Sequence, residues 1–155
     1  MFWSVVATML ASGDIAPARE ERVAFAASAA TIAVDTSRAL RRAPDGLFYV
    51  TGTINGAPVR FLVDTGSTST VLTREDARRG GVLPTAEAFA ARADTANGSA
   101  RIAWVLIGEL HVGGIRARDV AAAVAAEGLG VSLLGQNWLS QLGSLTISGD
   151  RMEFR

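Results

Sequence analysis

The stretch "FLVDTGSTSTVL", residues 61–72, is an apolar run that ends in Asp64, surrounds that carboxylate with Thr65, Gly66, Ser67 and Thr68, and then returns to apolar residues. An ionised carboxylate at the end of a buried strand costs several kcal/mol unless its oxygens are hydrogen-bonded. Turn amides and hydroxyls of the same segment can supply those bonds, so the segment reads as a strand that delivers an acid to a polar tip. The triplet "DTG" leaves three uses open: half of an acid-protease pair, a phosphate or metal loop, or a capped turn. The surrounding pattern decides among them.

Upstream, "LFYVTGTI" and "PVRFLV" flank Asn55-Gly56. Both central positions of such a two-residue turn need positive φ, so these strands are expected to pair. Downstream, "TREDARRGG" at 73–81 has Thr73 as N-cap, Glu75 and Asp76 in the first turn and Gly80-Gly81 at the end, the signature of one short helix. A second Asn-Gly, Asn97-Gly98, lies between "AFAARADTA" and "SARIAWVLI" and predicts a second hairpin with a flexible tip. Gly113-Gly114 turns the chain before "IRARDVAAAVAA", whose start alternates like a strand and whose Ala-rich end fits strand or helix. "GVSLLGQNWLSQLGSLTISGDRMEF" then gives a buried strand ending at Leu133, Leu134 and Gly135 and a short helix with Trp138, Leu139 and Leu142 inward. A closing hairpin follows, turned at Ser148-Gly149-Asp150. From Leu47 onward this is the punctuation of an all-β domain.

Composition narrows the function classes. A chain of 155 residues with 49% hydrophobic and 19% charged content builds one core, which excludes a two-lobed enzyme within one chain. That weighs against the ATPase loop of actin-like and sugar-kinase enzymes, which "DTGST" matches letter for letter. The chain also has no lysine, no "GxxxxGK[ST]" and no "GxGxxG". Fifteen basic residues balance fifteen acidic ones without a basic run, so no nucleic-acid partner is expected. The absence of cysteine excludes disulfides, thiolate metal sites and cysteine nucleophiles. His111, the only histidine, sits in "GELHVGGI" and reads as a structural strand residue, since one histidine makes no multi-His metal site.

Residues 1–45 read as a leader ahead of a domain at 46–155. The apolar stretches 1–12 and 23–34 are each shorter than the roughly 20 residues of a spanning helix, and "RALRRAPDG" at 38–46 reads as a linker. The leader is expected to be either poorly packed chain or a degenerate export signal or membrane anchor, in which case the domain faces the periplasm.

Three features occur in a fixed order: "FLVDTGS", the Asn97-Gly98 hairpin, and "SLLGQNWLSQLG". Together they resemble the retropepsin-like aspartic proteases, in particular the single-domain bacterial members that are similar to retroviral proteases, over residues 46–155. The resemblance implies an all-β, closed acid-protease barrel with one or two short helices, acting as a homodimer in which each chain supplies one catalytic aspartate, Asp64. It implies that Thr65 bonds across the two-fold axis and that Gly66 presents its amide to the carboxylate. Ser67 would support the loop, Leu133, Leu134 and Gly135 would pass behind the site, and Asn97 and Gly98 would form the flap tip over the substrate. The implied activity is endopeptidase cleavage of extended polypeptide, with no metal or organic cofactor. The alternative is a catalytically weak dimerisation or peptide-binding module of the same fold.

The chain also departs from the retroviral pattern. Thr68, Ser69 and Gln136 stand where those proteases carry an acid–arginine pair, so neutral contacts are expected there. Ser67 stands where those enzymes usually have alanine, and its hydroxyl is expected to donate to Asp64 and favour the ionised form. Trp104 and Trp138 are expected in the core.

Overall fold

The computed structural model describes residues 38–95 and 98–155. Both N-terminal apolar stretches and Asn97 lie outside the described residues. Among those described, no helix is long and apolar enough to cross a membrane. The strands are β1 (Ala39–Arg41), β2 (Tyr49–Ile54), β3 (Ala57–Val63), β4 (Thr70–Leu72), β5 (Ala91–Thr95), β6 (Gly98–Val112), β7 (Ile115–Ala125), β8 (Ser132–Leu134), β9 (Leu145–Ser148) and β10 (Arg151–Phe154). Two short helices, α1 (Arg74–Arg79) and α2 (Gln136–Leu139), and one 3-10 turn (Ala86–Ala88) complete the described elements.

Turn chemistry builds the first hairpin. Asn55 and Gly56 take φ of 49° and 85°, and β2 pairs with β3 from Tyr49↔Leu62 to Ile54↔Ala57. The strand order β2-β3-β8-β4-β7-β6 closes on itself because β2 also pairs with β6 through Gly52↔Val112, Thr53↔His111 and Ile54↔Leu110. This closed six-stranded barrel is the expected all-β architecture. Closure depends on Gly52: a Cβ there would meet the His111 carbonyl oxygen at 2.5 Å and Val112 Cγ2 at 2.6 Å.

Alternation then sorts the side chains. Ile54, Phe61, Leu72, Ile107, Leu110, Val124 and Leu134 are sealed inside the barrel, and Trp138 of α2 joins the same cluster as expected. Each such burial is worth about 1.5–3 kcal/mol. The hairpin read at Asn97-Gly98 is formed by β5 and β6, paired from Ala91↔Ile102 to Thr95↔Gly98.

Two readings need correction, and one left open is decided. The segment 38–46 is not simply a linker: it contributes β1, which pairs with β10, and β9 completes a separate three-stranded sheet. The Ala-rich end of "IRARDVAAAVAA", left open between strand and helix, is strand as far as Ala125, because β7 is hydrogen-bonded on both sides, to β6 and to β4, and this outweighs the helix propensity of alanine. Trp104 is not in the core: it lies on the outer face of β6, 57% exposed.

Candidate active site

Asp64 follows directly on β3, and its amide donates to the Leu134 carbonyl at 3.1 Å, which extends the parallel β3–β8 ladder by one residue. The residue is only 7% exposed. Gly66 N–H donates to its Oδ1 at 2.9 Å. Burial pushes the Asp64 carboxyl above its ordinary value of 3.8, and the amides of Gly66 and Ser67 pull the other way. Among the described residues no neighbouring charge contributes to the shift, so Asp64 stands as a desolvated acid at a polar loop. Thr65 at the loop's crest is exposed, and its hydroxyl makes no hydrogen bond among the described residues.

The loop is held from behind by the segment read as its support. Leu133 and Leu134 of β8 pair with Leu62 and Val63 of β3. Gly135 then passes against the backbone of Ser69 and Thr70 so closely that a Cβ would collide with Ser69 and lie 2.8 Å from Thr70 N. Beyond it, Gln136 N donates to Ser67 O at 2.8 Å and Asn137 N to Thr68 O at 3.1 Å. The Gln136 side chain donates to Thr65 O at 2.9 Å. Asn137 Oδ1 accepts from both the amide and the hydroxyl of Thr70, at 2.9 and 3.0 Å, while its Nδ2 donates to Ala121 O at 2.6 Å. The start of α2 is thus laced to the whole "TGSTST" loop by neutral bonds.

A family model described as "gag-polyprotein putative aspartyl protease" matches residues 50–141, well over half of the chain and inclusive of both Asp64 and Gly135. The chain belongs to this retropepsin-like aspartic protease family. Among solved structures, it is similar to a retropepsin-like aspartic protease from Rickettsia conorii, with 25% identity, a TM-score of 0.63, and coverage of 75% of this chain and 86% of that one. The fold also matches the EIAV protease complexed with the inhibitor HBY-793, at 21% identity and a TM-score of 0.50, over 64% and 91% of the two chains. Curated relatives include an uncharacterised protein in the cobV 5' region of Sinorhizobium sp, 39% identical over 117 residues. Another is an uncharacterised protein of Rickettsia prowazekii (strain Madrid E), 29% identical over 111 residues. The alignments cover 75% and 72% of this chain but 50% and 48% of those proteins, so it spans about half the length of the curated relatives it matches.

Within this protease family the chain's departures now have geometry. Thr68, Ser69 and Gln136 make no ion pair; Gln136 and the backbone bonds to Ser67 and Thr68 tie the loop instead. The Ser67 hydroxyl does not take its expected partner. It donates to Ser69 O at 2.7 Å, and a hydroxyl has one proton to give. Gly98 opens β6 at the far end of the β5–β6 hairpin, where the flap tip was expected; its neighbour Asn97 is not among the described residues.

Sequence reasoning missed the role of Asp76. Read as a first-turn acid on α1, it is 7% exposed and accepts from Ser132 Oγ at 2.6 Å. Ser132 in turn accepts from Thr73 N at 3.1 Å, and Arg79 pairs with the other Asp76 oxygen. The capping residue Thr73 accepts from Asp76 N at 3.1 Å. This partly buried set pins the start of α1 to β8 and so fixes the strand that carries Leu133 and Leu134. The signal in sequence was slight: a serine at the head of an apolar strand.

Proposed function

We propose that the chain is an aspartic endopeptidase whose active unit is a homodimer, with Asp64 of each copy forming a two-carboxylate site on the symmetry axis. The observation that carries this reading is the Asp64 loop: a buried carboxylate bonded by the Gly66 amide, braced by Gly135 and Gln136, and topped by an exposed Thr65 whose hydroxyl has no partner among the described residues. One carboxylate per chain is half of what the chemistry needs, and an isologous pair supplies the other half.

Two carboxylates about 3 Å apart cannot both ionise easily, so the pair holds one proton between them. The ionised member acts as base on a water that attacks the peptide carbonyl. The protonated member donates to the developing oxyanion, and the proton passes on to the leaving nitrogen. The raised pKa of Asp64 in the single chain favours this arrangement, because a desolvated acid readily stays protonated on one side of the pair. In this reading the β5–β6 hairpin pairs with an extended peptide strand over the site.

Cleavage of a peptide library by the full chain tests the dimer directly. Below the dimer dissociation constant, activity is expected to rise with the square of protein concentration, turning linear above it. Linear dependence at all concentrations, with sedimentation showing a monomer, would be incompatible with a site shared between two copies.

A second test concerns Ser67. Because its hydroxyl donates to Ser69 O, Ser67→Ala is expected to leave the acidic limb of the pH–rate profile in place while costing about 1 kcal/mol of stability from the lost loop bond. A limb that moves to higher pH in the variant would mean that the hydroxyl bonds Asp64 in the working enzyme.

A further inference from the structure

The strand β8 is only Ser132–Leu134, yet it carries the Leu134 carbonyl on which the Asp64 amide rests at 3.1 Å. It runs parallel to β3 from Phe61↔Ser132 to Val63↔Leu134, and it meets β4 at Val71↔Leu133. The chain that leads into it passes through Gly128 and Gly130, where a Cβ would meet nothing within 4 Å. Side chains and turns, not the ladder itself, set the register of a strand. A short strand entered from so open a loop therefore needs its first residue fixed.

Ser132 is that fixed point. It is fully buried, and its hydroxyl is used twice: it accepts from Thr73 N at 3.1 Å and donates its one proton to Asp76 Oδ2 at 2.6 Å. Both bonds cross from β8 to the head of α1. Capping of the helix does not require them, because the Thr73 hydroxyl already accepts from Asp76 N at 3.1 Å. The Asp76 carboxylate reaches instead to a strand 56 residues away, and Arg79 pairs with its other oxygen. Hydrogen bonds to a carboxylate are short and about twice as strong as neutral ones, so this one is suited to hold a backbone in place.

Taking Asp64 as the catalytic residue, as proposed above, we infer that Asp76 and Ser132 are positioning residues for it. Their bond sets how far β8 is drawn along β3, and the Leu134 carbonyl carries that setting to the Asp64 amide. The path is short, since two residues of strand span about 7 Å and the next bond reaches Asp64. Gln136 N and Asn137 N hold Ser67 and Thr68, further along the loop, so that bracing does not replace the hold on Asp64 itself. A misplacement of about 1 Å at a reacting group costs about 10²-fold in rate, so a slip of β8 by much less than one residue is enough to matter.

The test uses the full chain with Asp76→Ala, Ser132→Ala, Asp76→Asn and, as a core control by the Gly113 turn, Val112→Ala. Asparagine keeps an acceptor for the Ser132 hydroxyl, and Ser132→Ala removes a single oxygen, so it carries the test should Asp76→Ala not fold. Two readouts are taken: peptide turnover per folded molecule, and hydrogen exchange of the Asp64 amide beside the amides of the β6–β7 ladder. Asp76→Ala and Ser132→Ala are expected to lower kcat by about 10–100-fold with KM within about threefold. In both, exchange at Asp64 should quicken at least about tenfold more than in the β6–β7 ladder, whereas Val112→Ala should quicken the two alike. Asp76→Asn should keep most of the turnover and of the protection at Asp64. Turnover and exchange that follow melting temperature in all variants alike would reduce the pair to a stabilising contact, and an Asp76→Asn as damaging as Asp76→Ala would show that the bond to Ser132 is not what positions the loop. Selective exchange at Asp64 with no turnover even in wild type would overturn the proposed activity and leave the positioning of the loop standing. Turnover in wild type with no selective exchange in the variants would do the reverse.

Discussion

Replacing Asp64 by Asn is expected to reduce peptide hydrolysis by at least about 10³-fold while leaving the barrel folded, because in the proposed dimer it removes the base and the acid together from both halves of the site. Asparagine keeps the shape and the acceptor for the Gly66 N–H, so the loop has no reason to move. Stability should change in the opposite direction to activity. A carboxyl whose pKa is raised in the folded state binds its proton more tightly there than in the unfolded chain. Its contribution to stability is therefore fully present below the ordinary value of 3.8 and is lost as pH rises through the raised folded value. The amide carries no such dependence. The variant should melt higher than wild type at pH 7, each kcal/mol relieved appearing as about 2–4 °C for a chain of this size, and the gain should disappear near pH 3. Peptide turnover alongside thermal melts at the two pH values checks both halves. Substantial turnover by the variant would place the chemistry on another residue, and a lower melting temperature at pH 7 would mean that the ionised carboxylate is stabilised where it lies.

How far the sequence could be read follows the range of the interactions involved. The Asn55-Gly56 turn and the Thr73 cap are local: two residues needing positive φ, or a hydroxyl three residues from an orphan amide, leave their mark in a few letters. "FLVDTGS" and "SLLGQ" were legible for a related reason, since each is a strand ending at an obligatory turn. What was missed depends on partners far along the chain. β1 is three residues hidden in a charged segment, and it exists as a strand because β10 lies beside it, more than a hundred residues later. Asp76 looks like an ordinary helix-start acid until Ser132, 56 residues away, is seen to donate to it. Ser67 stands close to Asp64 in sequence, yet the turn sends its hydroxyl to Ser69 O. Trp104 illustrates a further limit. A tryptophan in an apolar strand is normally read as core, but barrel closure decides which residues of β6 face inward, and around Trp104 those are Ala103 and Ile107.

Gly135→Ala is expected to be among the most damaging single-methyl changes in the chain, costing at least about 3 kcal/mol and lowering the melting temperature by about 6–12 °C. Its φ of −93° and ψ of 179° suit any residue, so glycine is required here for space alone. The atoms a methyl would strike are the Ser69 carbonyl and Thr70 N, which are backbone and cannot swing aside as a flexible side chain would. Relief has to come from separating the Asp64 loop from β8 and α2. That separation breaks the bonds from Gln136 N to Ser67 O and from Asn137 N to Thr68 O together with the Thr70–Asn137 pair, because all of them cross the same gap. Asp64 rides on that loop, so the fraction of Gly135→Ala that stays folded should also lose turnover, on top of the loss of folded protein. Gly130→Ala supplies the comparison, since nothing lies within 4 Å of a Cβ at that position and its effect should be within about 0.5 kcal/mol. Melts of the two variants, with turnover normalised to folded protein, separate the outcomes. A Gly135→Ala protein matching wild type in both would mean that the loop and β8 can part at little cost, and that the bracing of Asp64 comes from elsewhere than this contact.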